Sequence, residues 1–207
     1  MNPTEHLAEL FARLPGIGPK QAKRFVYFLL RTDTRFKEDL IRTIDALKTA
    51  GKQCSDCFRF FGEVRAKEEL RCSICRDESR DKKEVMIVEK ELDIDAIEKT
   101  ESYQGVYFVL GGLVPLLSEK PSDFVRVREL TSFLHRKVTS DELSEIVFAL
   151  PVTDLGDSTR DYLEKTIKQI VGIDTVKLST LARGLSSGLE LEYVDRDTFK
   201  SAFERRN

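Results

Sequence analysis

Four cysteines carry the clearest chemistry in the chain. Cys54, Cys57, Cys72 and Cys75 are spaced C-x2-C, fourteen residues, C-x2-C, and no other cysteine occurs in the 207 residues. Each C-x-x-C pair can turn two thiolates towards one ion. Two pairs complete a tetrahedron, the geometry that zinc takes up in structural sites. The intervening run FRFFGEVRAKEELR is too short and too polar to build a core of its own, so a metal would supply the missing folding energy. Four thiolates leave no open coordination position, which points to a structural rather than a catalytic ion. Two disulfides are the competing reading, disfavoured in a reducing compartment, and iron is the competing metal. A redox pair would need only one C-x-x-C.

A second cluster of chemistry-bearing residues is LPGIGPKQAKR, Leu14 to Arg24. Residues 4–13 read as a short helix with Thr4 as its cap and Leu7, Leu10, Phe11 and Leu14 on one face. Pro15 and Gly16 stop it, Gly18 permits another bend, and Pro19 suits the first turn of a second helix. That helix should turn Ala22, Phe25, Val26 and Leu29 inward, with Lys20, Lys23 and Arg24 outward. Gly16, Ile17 and Gly18 would then bare backbone N–H groups beside a helix N-terminus, a phosphate seat that reads no bases. The three cations add attraction for neighbouring phosphates. The plainer alternative is an αα-hairpin whose glycines only permit the turn. The coincidence of the P-G-I-G-P core, apolar flanks and cations favours DNA binding.

The elements that must position these groups follow from composition and pattern. Hydrophobic residues make up 41% and charged residues 34%, as in a folded protein outside the membrane. No apolar run reaches about 18 residues and the N-terminus shows no export pattern, so a cytoplasmic location is expected. Residues 1–83 carry 18 Lys and Arg against 13 Asp and Glu, whereas residues 84–207 carry 16 against 23. A polyanion would therefore be met by the first part. A helix from about Arg35 to Lys48, with Phe36, Leu40, Ile41, Ile44 and Leu47 inward, leads to the cysteines. Beyond them, EVMIVE (84–89), GVYFVL (105–110), EIVFAL (145–150) and TVKLSTL (175–181) read as short strands. Helical stretches at 93–101, 122–137 and 157–171 separate them, and that alternation predicts a parallel sheet covered on both faces. LELEYVD and a helix from Arg196 close the chain. GLSSG (184–188) reads as a turn, with a phosphate cradle as the alternative.

A helix–hairpin–helix motif followed by a four-cysteine finger resembles the RecR family of bacterial recombination mediators. The second half is similar to that family too, through VEKELDIDAIEKT, YFVLGG and LARGLSSG…LEYVD, and to the Toprim fold of topoisomerases and primases. The resemblance implies a multidomain α+β chain. Its expected parts are a DNA-binding helix–hairpin–helix domain (1–52), a four-cysteine zinc finger (53–83), a Toprim domain (84–174) and a C-terminal strand–helix segment (175–207). The chain departs from the family pattern twice. LVPLLSEKPSDF follows VLGG where the family has a further glycine-bearing loop, and PVTDLGDST stands where an Asn-Pro-Thr-x-Glu-Gly-Glu-like run is usual.

Glu89 ends the first expected strand, at the carboxyl edge where open α/β sheets place their sites. Catalytic Toprim sites join such a glutamate to two aspartates one residue apart, holding Mg²⁺ near a phosphate. The nearest candidates here are Asp154 and Asp157, with Asp157 equally suited to cap the next helix. Asp93 and Asp95 have the spacing but follow the first strand. His6 and His135, the two histidines, read as surface residues. The resemblance thus implies a non-enzymatic scaffold that binds double-stranded and gapped DNA as a dimeric or tetrameric ring. It also implies one structural Zn²⁺ per chain, the partners RecO and RecF, and help in loading RecA. Glu89, Asp93 and Asp95 would face partners, with a weak capacity for Mg²⁺. The competing enzyme is a Mg²⁺-dependent nuclease or nucleotidyl transferase using Glu89, and a third reading is a zinc-ribbon interaction module without a DNA role.

Overall fold

The computed structural model describes residues 2–62, 70–140, 143–170, 172–182, 184–185, 190–194 and 196–204. Val171, most of GLSSG and the two ends of LELEYVD lie outside them. Two compact units form, Met1–Gly51 and Lys52–Asn207.

The first unit holds three helices. Helix α1 (Pro3–Ala12) begins earlier than a Thr4 cap would place it: Pro3 occupies its first position and Asn2 is the cap, its Oδ1 accepting from the Thr4 N–H. Helix α2 (Pro19–Arg31) packs against α1 through Phe11 and Phe25, whose rings meet edge to face at 5.7 Å. Ala22 and Val26 are buried as expected, and Phe25 and Leu29 half-buried. Helix α3 (Thr34–Ala50) is capped by Asp33, which accepts from the Phe36 N–H at 2.9 Å. Its apolar row was expected to face inward and does not. Ile41 is 68% exposed, Ile44 57% and Leu47 65%, with Phe36 also exposed and Leu40 half-buried.

The second unit opens with a two-stranded antiparallel ribbon, β1 (Lys52–Gln53) and β2 (Phe60–Phe61), and a one-turn helix α4 (Ser73–Arg76). These carry the cysteines. There follow β3 (Asp81–Val88), α5 (Glu91–Glu98), β4 (Gly105–Val109), α6 (Val127–Ser140), β5 (Glu145–Ala149), α7 (Asp154–Ile167), β6 (Lys177–Thr180) and α8 (Arg196–Glu204). Strands β3 to β6 form one parallel sheet in the order β4-β3-β5-β6. The strand at 177–180, expected in the C-terminal segment, is thus the sheet's fourth member. LELEYVD contributes a 3₁₀ turn at Leu191–Tyr193 among the described residues.

Strand order explains which helix covers which face. The step from β3 to β4 runs one way across the sheet, while those from β4 to β5 and from β5 to β6 run the other. Right-handed crossovers therefore put α5 on one face and α6 and α7 on the opposite one. Side-chain packing agrees. Val85, Ile87, Phe108 and Ile146 pack with Leu130, Phe133, Leu134, Leu163 and Ile167. Met86, Val88, Tyr107 and Val109 pack with Ile94 and with Cys54, Cys57 and Cys72. Cover on that second face is incomplete: a depression lined by Met86, Ile97, Tyr103, Val147 and Leu178 remains over β5 and β6.

Candidate functional sites

The four cysteines converge. Their Sγ atoms all lie within 4.8 Å of one another, and Cys57 and Cys72 are 3.6 Å apart. A tetrahedral zinc with bonds of about 2.3 Å would place its sulfurs about 3.8 Å apart, so the donor set fits such an ion. The same separation is far beyond a disulfide bond of about 2.05 Å. The Cys72 N–H donates to Cys54 Sγ at 3.4 Å, the type of backbone contact that steadies a thiolate ligand. Hydrogen bonds with Cys57 and Cys72 lower the pKa of Cys54, while contact with Cys54 and burial raise those of Cys57 and Cys75. A metal ion held here is structural by its closed donor set.

The loop joining the first pair to the sheet is held from both sides. Phe58 has φ +63°, unusual for a bulky residue, and its ring packs on Phe108 at 5.4 Å and under the Arg126 guanidinium at 5.9 Å. The Val109 N–H donates to the Cys57 carbonyl at 2.8 Å, so the knuckle is stitched to the end of β4.

The hairpin between α1 and α2 has the expected shape. Gly16 takes φ +77°, which glycine alone adopts without strain. Gly18 is different: its φ of −81° suits any residue, and a Cβ there would meet nothing within 4 Å. As N-cap it offers no side chain, so the first N–H groups of α2 have no capping partner from it. Lys20, Lys23 and Arg24 are exposed, and Ile17 is half-buried, its N–H donating to the Leu14 carbonyl.

The carboxylates near the sheet's carboxyl edge are differently engaged. Glu89 follows β3 and is half-buried, and its carbonyl accepts from the Gly111 N–H at 2.8 Å. Asp93 turns back to accept from the Lys90 N–H, closing the first turn of α5. Asp95 pairs with Arg59 at 2.7 Å. Asp157 pairs with Arg160 at 3.1 Å, and Asp154 is exposed. Among the described residues, the cysteines are the only group of three or more metal-binding side chains brought together. Asp157 is not the cap of α7. Thr153 is, its Oγ1 accepting from the Gly156 N–H.

Two arrangements at this edge were invisible to sequence reasoning. Gly111 has φ +89°, and a Cβ there would lie 2.6 Å from Arg126, whose Nη1 donates to the Val109 carbonyl. The glycine of VLGG thus seats an arginine that also covers Phe58. Thr159, fully buried, donates to the Leu155 carbonyl at 2.7 Å and accepts from the Val114 N–H at 2.8 Å. That hydroxyl ties together the two loops that depart from the family pattern. The signal for it was a lone threonine on a helix face, which is uninformative by itself.

A glycine-turned helical hairpin, a four-cysteine knuckle and an open parallel sheet with an acidic edge define a helix–hairpin–helix protein with a Toprim half. Residues 4–48 match the family described as RecR, helix-hairpin-helix, and residues 83–181 match the Toprim domain. The chain is 34% identical over 204 residues to the recombination protein RecR of Paenarthrobacter aurescens (strain TC1), covering 98% of this chain and 96% of that protein. It is 36% identical over 203 residues to the recombination protein RecR of Chloroherpeton thalassium (strain ATCC 35110 / GB-78), covering 98% and 95%. The chain belongs to the RecR family.

Proposed function

We propose that this protein is a non-enzymatic mediator of DNA recombination that grips duplex and gapped DNA by its backbone. The observation that carries the reading is the hairpin. Gly18 is required neither by its torsion angles nor by packing, yet it leaves a clear approach to the N-terminus of α2. Lys20, Lys23 and Arg24 stand exposed on that helix. A glycine with no internal reason is one an external backbone can approach, and a phosphate satisfies both the N–H groups and the dipole. Gly16, Ile17 and Gly18 form the seat, and the three cations hold adjacent phosphates.

One hairpin neutralises few phosphates, so useful affinity calls for several on one DNA. The uncovered apolar row of α3 supports self-association into a dimer or a tetrameric ring: Phe36, Ile41, Ile44 and Leu47 need a partner surface to leave water. In this reading the ion at the cysteines is Zn²⁺. The Toprim half presents Glu89, Asp93 and Asp95 towards RecO and RecF, and the assembly helps load RecA at single-strand gaps. The engagement of Asp93 in a helix turn and of Asp95 with Arg59 supports a presenting rather than a catalytic role.

The test is a native gel with labelled gapped duplex and Mg²⁺, a denaturing gel of the same samples, and sedimentation of the free protein. A shift without cleavage, lost in Lys20→Ala/Arg24→Ala, with protein sedimenting larger than a monomer, is expected. Cleavage abolished by Glu89→Gln would replace this reading with an enzymatic one, and a monomer at micromolar concentration would remove the clamp.

A further inference from the structure

Helix α6 carries Arg128, Ser132 and Arg136 at four-residue intervals, so the three share one stripe of its surface. The stripe borders the metal knuckle. A depression between them is lined by Ser55 and Phe58 on the knuckle side and by Arg128, Ser132 and Arg136 on the helix side. At one end a second depression, of about 240 Å³, shares Arg136 and adds Arg71, Lys82 and Lys137 beside Cys75. At the other end a third shares Arg128 and reaches Arg126 and Gly111. The three form one furrow. Among the described residues its carboxylates are Asp56, Asp123 and Glu129, three against six Lys and Arg. Arg136 and Lys137 lie over the Phe133 ring at 6.0 and 5.8 Å, which limits their wandering.

We propose that this furrow is a second contact for the phosphate backbone of duplex DNA, with Arg128, Arg136 and Lys82 as its principal cations. The proposal rests on the DNA-binding reading above and extends it to the second unit. From Arg128 to Arg136 the helix rises about 12 Å, the length of three or four base-pair steps along a duplex axis at about 3.4 Å each. Phe58 and Phe133 lie beneath their cations, and the exposed ring of Phe124 lines only the depression at the Arg126 end, so the stripe from Arg128 to Arg136 offers no bare ring on which unpaired bases would stack. A protein partner would need an aromatic or aliphatic anchor pocket, and along the stripe the lining is instead Arg128, Arg136, Ser55, Ser132 and Glu129 over the covered Phe58.

The test compares the salt dependence of duplex affinity for the whole protein, Arg128→Ala/Arg136→Ala, Arg128→Lys/Arg136→Lys and Lys20→Ala/Arg24→Ala. Both arginines are exposed, so thermal melts and metal content should match the parent. Loss of two phosphate contacts lowers the log–log salt slope by about two and weakens binding about tenfold to a hundredfold at 0.1 M salt. The lysine variant should restore the slope, since charge rather than fork geometry is what the backbone reads. A parent that binds, beside an alanine variant of unchanged slope, overturns the furrow and leaves the hairpin standing. A parent without duplex affinity overturns both. Unchanged DNA binding with lost binding of a protein partner would reassign the furrow.

Discussion

Replacing Gly156 with alanine separates what helix propensity dictates from what this fold demands. Gly156 lies in the first turn of α7, where the usual expectation is that alanine stabilises by up to about 1 kcal/mol. The surroundings reverse the sign. A Cβ at Gly156 would sit 1.9 Å from the Pro151 carbonyl oxygen and 3.0 Å from its carbon. Both are backbone atoms, so no side-chain rotation relieves the clash. That same oxygen accepts the Thr153 N–H at 2.9 Å, and Thr153 Oγ1 caps the helix through the Gly156 N–H at 3.2 Å. Opening the contact would therefore displace the cap as well. Overpacking costs about 1–3 kcal/mol and a lost cap about 0.5–2, against a propensity gain of at most about 1. The net loss is about 2 kcal/mol, which lowers Tm by roughly 4–8 °C for a chain of this size. Thermal and urea melts followed by far-UV circular dichroism measure it. Gly51→Ala is the control, because its Cβ would stand at an ordinary 3.5 Å from the Leu47 carbonyl, and it should be near neutral. A Gly156→Ala protein as stable as the parent would refute the reasoning.

The metal and the acid limb are equally testable. Cys54, Cys57 and Cys72 belong to the buried cluster that includes Met86 and Tyr107, so chelation or Cys57→Ser should lower the stability of the sheet as well as the metal content. One ion per chain by elemental analysis and recovery on adding zinc are expected; an undiminished Tm after complete metal removal would show that the ion does not support the fold. Glu98 accepts from Arg80 at 3.0 Å and from the Tyr107 hydroxyl at 2.6 Å. Burial alone would raise its pKa, but the bonds from Arg80 and Tyr107 and the charge of Arg80 prevail and hold it below the ordinary 4.5. A depressed acid stabilises the fold above its unfolded pKa and loses that contribution as pH falls through the folded value. Unfolding free energy should thus drop below about pH 4.5 more steeply in the parent than in Glu98→Gln, and parallel acid limbs would show the pairing to be without effect.

How far the sequence led depended on the range of the interaction involved. The cysteine set was legible because ligand spacing is local and only one ion geometry satisfies it. The strands were legible to within a few residues, since buried parallel strands are apolar runs bounded by helices. Helix starts were less so. Asp157 and Thr4 are good caps by type, but Pro3 moves the start of α1 to Asn2, and Thr153 takes α7 one turn earlier. Type limits the choice of cap, and the loop that feeds the helix makes it.

The harder failures share one cause, which is that the deciding partner lies far along the chain or outside it. Gly111 is glycine because Arg126 fills the space its Cβ would need, and Thr159 is threonine because Val114 brings an N–H to it. Neither reason is periodic, so no pattern could report it. The apolar row of α3 was legible as a row, and its periodicity was read as a core face. Its exposure keeps the periodicity and changes the inference: under the self-association proposed above, a second copy would bury Ile41, Ile44 and Leu47. The hairpin of the same unit carries a glycine that nothing internal requires, which is the same logic in polar form. On the function proposed above, the apolar row and the unrequired glycine of the unit Met1–Gly51 would both be completed from outside, the one by a second copy and the other by phosphate. Weak binding by each hairpin and self-association through α3 would then be two halves of the proposed arrangement, because assembly raises the number of phosphates held at once.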